Sequence, residues 1–214
     1  MSIWDFWASR YERLWVQKYS LGPTRKAVLK EIKDILSYKG EKNGQSEEGK
    51  MINLLDVGCG TGQLTREIWE KFKGEISYLE GLDYSKAMVE EARRNSITIN
   101  YTNSSIEGYN AKKKFSVITC THSFPYYKDK KGTIEKFYDL LEEEGYVLLA
   151  QASEKSFYDK IAMFIVKFTT TKASYLSPKE IKELTKGHFI LEEEILIREK
   201  PYMPSIVLFK LRRK

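Results

Sequence analysis

Residues 54–64 read LLDVGCGTGQL: an apolar run that closes on Asp56 and Val57, then Gly58, Gly60 and Gly62 at alternate positions. Glycines spaced this way behind a buried strand supply positive φ and let bare backbone and a helix N-terminus approach a nucleotide-like ligand. The alternative is a plain tight turn. Cys59 and Thr61 lie inside the same candidate cradle. A dinucleotide fingerprint would spell G-x-G-x-x-G, but Gln63 stands where its third glycine or alanine belongs, which argues against NAD. Asp83 follows 25 residues after Gly58, at the end of the next apolar run. A carboxylate there can accept hydrogen bonds from both hydroxyls of a ribose. Thr121 and His122 end a later apolar run, where open α/β sheets bind ligands. The near-neutral pKa of histidine suits His122 to a general base, a substrate-positioning group or a pocket wall, and these three stay open. His188, the other histidine, sits near a helix end and reads as structural.

These residues need elements to hold them. Met51–Val57 predicts a buried strand of the parallel kind, and Leu64, Ile68 and Phe72 predict a helix over 63–72. Strands follow over 76–82, 97–101, 115–120 and 146–151, with helices over 85–94 and 133–141. Two alternating runs, 191–200 and 205–214, are separated by Pro201 and Pro204 and should pair as antiparallel edge strands. Ser177-Pro178 opens a further helix. Upstream, Trp4, Trp7, Tyr11, Leu14, Trp15 and Tyr19 form an aromatic stripe at helical period. Gly22-Pro23 breaks it, and Thr24 can cap a second helix reaching Tyr38. Residues 39–50 read as an exposed loop, and 156–168 as an amphipathic helix. Alternating helix and strand patterns favour an α/β fold in one domain spanning 1–214.

Composition excludes several classes. No apolar run approaches the roughly 20 residues of a membrane span. Charges at Asp5, Arg10, Glu12 and Arg13 interrupt any secretory core, so the chain is expected in the cytoplasm. Cys59 and Cys120 lack metal-type spacing, no metal is expected, and both cysteines read as reduced core or cradle residues. The net charge of +6 admits an anionic partner or a solvated Lys/Glu surface.

LLDVGCGTG resembles the first motif of class I S-adenosylmethionine-dependent methyltransferases, and LEGLDYS resembles the acidic ribose-binding motif that follows it. FSVITCTHSF at 115–124 is similar to the family's fourth strand, and LLEEEGYVLLA at 140–150 to its helix, glycine turn and fifth strand. Residues 176–214 are similar to its closing helix and hairpin. Two departures stand out: Ser116 where aspartate is common, and Glu144-Gly145 in place of two glycines.

The resemblance implies a doubly wound, Rossmann-like sheet of seven mostly parallel strands. A C-terminal antiparallel hairpin would close it and an N-terminal helical lid would cover it. Residues 1–38 would be the N-terminal helices, 51–151 the cofactor core and 152–214 the lid helix and hairpin. The cofactor would be S-adenosyl-L-methionine. Asp56 would orient the glycine loop or the methionine part, and Gly58 and Gly60 would let that part lie against bare backbone. Asp83 would hold the ribose, Tyr84 and Met88 would pack on adenine, and Ser105 and Ile106 would close over its edge. Tyr11 would reach the cofactor side. The aromatic stripe from Trp4 to Trp15 fits a lid, or a helix packed on the sheet edge.

The implied activity is methyl transfer to a small-molecule or lipid-like acceptor. Residues 156–168 would cover an apolar substrate, rest peripherally on an anionic membrane, or pack against the fold. Two alternatives remain. Ser123-Phe124-Pro125-Tyr126 partly echoes the motif of nucleic-acid amino-methyltransferases, but the basic residues are scattered, which argues against a nucleic acid. The other is a cofactor-binding protein without catalysis. A monomer and a homodimer both remain open.

Overall fold

The computed structural model describes Glu12 and residues 17–42, 51–152, 173–198 and 205–214. Seven strands form one sheet: β1 (Ile52–Val57), β2 (Ile76–Asp83), β3 (Asn100–Asn103), β4 (Phe115–Thr121), β5 (Leu141–Ala152), β6 (Phe189–Ile197) and β7 (Ile206–Arg213). Their order is β3-β2-β1-β4-β5-β7-β6. The first five strands run parallel, and β7 is antiparallel to both β5 and β6. The chain winds outward from β1 to β3 and returns to β4 beside β1, so the order reverses between those two strands. Doubly wound sheets bind ligands at the carboxyl ends of the strands at such a point.

Strand alternation divides the core. Leu54, Leu79, Val117, Leu148 and Leu208 face one side, where α1 (Gly22–Lys42), α2 (Gln63–Phe72) and α3 (Lys86–Asn95) pack through Val28, Ile32, Ile68 and Val89. Leu55, Leu82, Ile118, Leu149 and Val207 face the other, against Ile134 and Phe137 of α4 (Lys130–Leu140) and Ile181 of α5 (Pro178–Thr185). Burial on both faces, worth about 1.5–3 kcal/mol per large aliphatic side chain, explains why these strands read as continuous apolar runs.

Several boundaries depart from expectation. Thr24 does not cap α1: its hydroxyl donates to the carbonyl of Ser20, 2.9 Å away, inside a helical path that begins with a π-type turn at Gln17–Leu21. Gly22-Pro23 does not break that path: α1 follows directly on the π-type turn, with Pro23 at its second residue. α1 also runs to Lys42, into the expected loop. β3 begins three residues later than its apolar signal. β7 is no edge strand, since β5 and β6 flank it and it is buried along most of its length. β5 starts at Leu141 because Glu144 takes φ 57, the left-handed region, inside a register shift against β4. Ser116 donates to Glu142 at 2.8 Å across that irregularity, which ties β4 to the first residues of β5. α5 carries the expected cap: Ser177 accepts from the N–H of Glu180, whose carboxylate accepts from that of Ser177. No helix among the described residues is long and apolar enough to cross a membrane.

Candidate active site

The glycine loop leaves β1 with Gly58, Gly60 and Gly62 all at positive φ (72°, 56° and 76°). The N–H groups of Gly58 and Cys59 both donate to the carbonyl of Leu82, at 2.7 and 3.0 Å, and Gly62 N–H donates to Cys59. Gly60 N–H donates to Asp83 Oδ2 at 2.9 Å. The chain's own acceptors thus take these amides, and the glycines supply curvature and close approach. A Cβ on Gly58 would lie 2.3 Å from the side chain of Ser123, and one on Gly62 would lie 2.5 Å from Tyr101 Oη. No side chain caps α2, so its first-turn amides remain for an anionic group such as an amino-acid carboxylate.

Asp83 buckles the loop, with Oδ1 accepting from Ser85 N–H at 2.8 Å while Oδ2 holds Gly60. This fixes the carboxylate at the end of β2 beside the glycine turn, the place from which an acidic side chain can accept from ribose hydroxyls. Asp56 behaves differently. It is buried, and its two oxygens accept from Thr65 at 2.7 Å and Thr119 at 2.8 Å. Asp56 therefore braces β1 to α2 and β4 and orients the glycine loop from beneath. Burial raises its pKa to about 6, against the pull of the two hydroxyls, and the charge of Asp83 adds to the rise.

On the expected adenine side, Tyr84 is 53% exposed whereas Met88 and Ile106 are buried. Ser105 is exposed and its hydroxyl accepts from Gly108 N–H at 3.3 Å. The side-chain amide of Asn103 donates to the carbonyls of Asp83 and Tyr84, at 3.0 and 2.9 Å, and staples the loop after β3 to the turn after β2. Behind that loop the buried carboxylate of Glu80 accepts from Tyr78, Tyr109 and Thr102, at 2.8, 2.7 and 2.5 Å. Sequence reasoning missed Asn103 and Glu80. Only a charged residue inside an apolar strand hinted at the latter.

At the tip of β4, His122 sits at φ 61 and its N–H donates to Ala150 at 2.7 Å. Its Nε2 lies 3.0 Å from Thr24 Oγ1. With the Thr24 hydrogen given to Ser20, Nε2 is the donor and Nδ1 the free acceptor. Burial, with a smaller push from Arg25, lowers the His122 pKa to about 4. The ring is neutral at neutral pH and a weak base. Burial also pushes the Cys120 thiol up to about 12 and the Cys59 thiol well above its usual value, so both stay protonated, and both are free.

Tyr11 and the rest of the aromatic stripe before Gln17 lie outside the described residues, as does the 156–168 segment. Glu12 does reach the loop, accepting from the buried Thr61 hydroxyl at 2.8 Å and from Arg66 at 2.7 Å. Phe124 and Pro125, from the partial nucleic-acid motif, are buried. His188 packs on Tyr138 with ring centroids 5.0 Å apart, far along the chain from the loop. The fold thus gathers Gly58–Gly62, Asp83, Tyr84, Thr121 and His122 at the carboxyl ends of β1, β2 and β4.

Residues 23–188 match the family described as methyltransferase domain. The chain belongs to this methyltransferase family. Its cofactor is S-adenosylmethionine, and the bare glycines, the buckled Asp83 and the uncapped α2 fit the amino-acid and ribose ends of that molecule.

Among curated relatives, a malonyl-[acyl-carrier protein] O-methyltransferase of Ilyobacter polytropus is 31% identical over 113 residues, 51% of this chain and 41% of that protein. The chain thus aligns with well under two thirds of the length of the first such relatives. A ubiquinone biosynthesis O-methyltransferase of Pelagibacter ubique is 28% identical over 182 residues, 78% of this chain and 72% of that protein. Among solved structures, a putative methyltransferase in complex with the Trm112 activator, from Haloferax volcanii, superposes with TM-score 0.75 at 16% identity, covering 100% of this chain and 98% of that one. Magnesium protoporphyrin IX methyltransferase of Synechocystis, solved with bound S-adenosylhomocysteine, gives 0.69 at 14% identity, covering 99% and 98%. These likenesses establish the fold.

Proposed function

We propose that this methyltransferase transfers the methyl group of S-adenosylmethionine to an acidic oxygen on a small or lipid-like molecule. The observation that carries the reading is the Asp83 carboxylate held against Gly60 beneath a bare glycine turn, which builds one site for a ribose and an amino-acid tail. The bound cofactor supplies an already activated methyl sulfonium. The chain's own residues then orient the reactants and exclude water, and in-line attack asks chiefly for proximity. Asp83 holds the ribose, Tyr84 and Ile106 flank the adenine, and Glu12 with Arg66 closes over Thr61.

The oxygen and its acidity are supported from two sides. Both curated relatives described above are named as O-methyltransferases. His122, with a pKa near 4, suits an acceptor that arrives ionised, such as a carboxylate or an acidic phenol or enol, because no strong base is then needed. Its Nδ1 positions rather than deprotonates.

Incubation with S-adenosylmethionine labelled in its methyl group tests this, using acyl carboxylates, acidic phenols and primary amines as acceptors. Label should pass to the carboxylates or phenols with a rate flat between pH 6 and 8. Transfer to amines alone, or a rate rising through a pKa near 7, would contradict the assignment of acceptor and of His122.

A further inference from the structure

The ring of Tyr101 reaches from the edge strand β3 to the buried side of the glycine loop, and the reading above gives it no task. Two glycines make room for it. Tyr101 pairs in register with Gly81 of β2, where a Cβ would meet ring carbons Cδ1 and Cε1 at 2.6 and 2.7 Å. A Cβ on Gly62 would meet Oη, Cζ and Cε1 at 2.5, 2.8 and 2.9 Å. The ring thus stands across the bare backbone of Gly81 and ends with its hydroxyl against the bare backbone of Gly62. Arg93 Nη2 donates to the Tyr101 carbonyl at 2.6 Å, so α3 and β2 together hold the strand that carries the ring.

Packing alone does not account for the hydroxyl. Tyr101 is buried, and its Oη has no hydrogen-bond partner among the described residues. The Thr65 hydroxyl is near enough to act on the phenol's titration, but its hydrogen goes to Asp56 at 2.7 Å. A buried polar group without a partner costs stability, and phenylalanine would fill the slot over Gly81 without that cost. What the oxygen adds is length. It carries the side chain one atom further, to Gly62, the residue that opens α2 at φ 76. Gly62 N–H donates to Cys59 and its carbonyl accepts from Arg66 N–H, at 3.0 and 2.9 Å, so a shift of Gly62 moves the loop and the first turn of α2 together.

We infer that Tyr101 is a positioning residue for the amino-acid end of the cofactor: its oxygen props Gly62 and so fixes where the first-turn amides of α2 point. The inference rests on the S-adenosylmethionine reading of the loop. No side chain caps α2, so those amides are the donors a carboxylate would meet. Asp83, which takes the ribose, is fixed separately by Gly60 and Ser85. Tyr101 therefore acts on one end of the ligand and leaves the other alone.

Calorimetric titration of the wild-type chain and of Tyr101→Phe tests this with S-adenosylmethionine, S-adenosylhomocysteine and methylthioadenosine, which keeps the adenosine and the sulfur but lacks the amino-acid tail. The variant should bind the first two about two- to fivefold more weakly, the scale of a charge at a helix N-terminus, and methylthioadenosine unchanged. Its denaturation midpoint should hold or rise, because an unpaired buried hydroxyl is gone. A merely structural role would weaken all three ligands alike. Equal losses for all three, loss for none, or a lower midpoint in the variant would overturn the inference. A wild-type chain that binds neither S-adenosylmethionine nor S-adenosylhomocysteine would sink the cofactor reading as well, whereas one that binds both, with affinities unmoved in the variant, sinks the role of Tyr101 alone.

Discussion

The two halves of the site are built by opposite means. Around the glycine loop most contacts close within 23 residues of chain, Gly60 to Asp83, Asp83 to Ser85 and Asp56 to Thr65, with Asp56 to Thr119 the long-range exception. At the tip of β4 they span long stretches of chain: His122 to Thr24, Ser123 to Val57. The first half is a local motif that carries its own geometry. The second is held in place by whatever α1 and β1 present to it. The difference extends to electrostatics, because burial raises the pKa of Asp56 to about 6 and lowers that of His122 to about 4.

The largest expected break in this contrast is Gly58→Ala, which strikes both halves. A left-handed φ costs an alanine about 1–2 kcal/mol, and overpacking against Ser123 adds about 1–3 kcal/mol. Chemical denaturation should show a loss of about 2–5 kcal/mol in total; a change within error would mean that the loop relaxes away from Ser123.

The pH dependence separates the halves. A carboxyl whose pKa rises on folding binds more protons in the native state, so the Asp56 contribution falls as pH climbs from about 4 to 6 and is constant above. A histidine whose pKa drops on folding binds fewer, so the His122 contribution is complete above about 6.5 and is lost as pH falls towards 4. Each is on the order of 3 kcal/mol, and in the wild-type chain they oppose one another. Denaturant melts of Asp56→Asn should therefore gain stability from pH 4 to 6, and those of His122→Asn should lose it. Asparagine suits the second site because it tolerates φ 61. Parallel curves for both variants would refute the assignment.

Smaller effects sharpen the picture. Thr24→Val should cost about 1–2 kcal/mol by leaving Nε2–H of His122 without its acceptor, with amide exchange quickening at the β4 tip rather than at the glycine loop. Tyr109→Phe should cost about 0.5–1.5 kcal/mol and loosen the loop at Ile106 without disturbing Asp83, as exchange in that loop would reveal.

The same contrast explains what could be read from sequence. LLDVGCGTG and Asp83 were legible because their geometry is local: strand, left-handed turn, helix, strand. The doubly wound seven-stranded sheet followed from the family resemblance, and the hairpin pairing from alternation and flanking prolines. The contacts of Thr24 and Ser123 were not legible, because the fold makes them across 98 residues in one case and 66 in the other. Thr24 looked like a cap by residue type alone, since hydroxyl residues cap helices and also bond back to a carbonyl four residues earlier. The early start of β5 was hidden by Glu144, a residue type that seldom takes positive φ.

The central claim is that Asp83 and the glycine turn form an S-adenosylmethionine site. The most direct measurement is a calorimetric titration with S-adenosylmethionine, S-adenosylhomocysteine and NAD, repeated on Asp83→Asn. Saturable binding of the first two, no response to NAD and a loss of about tenfold or more in the variant are expected, since an ionised carboxylate makes hydrogen bonds of roughly 1.5–3 kcal/mol. No binding of either sulfur compound, or equal binding by the variant, would contradict the claim.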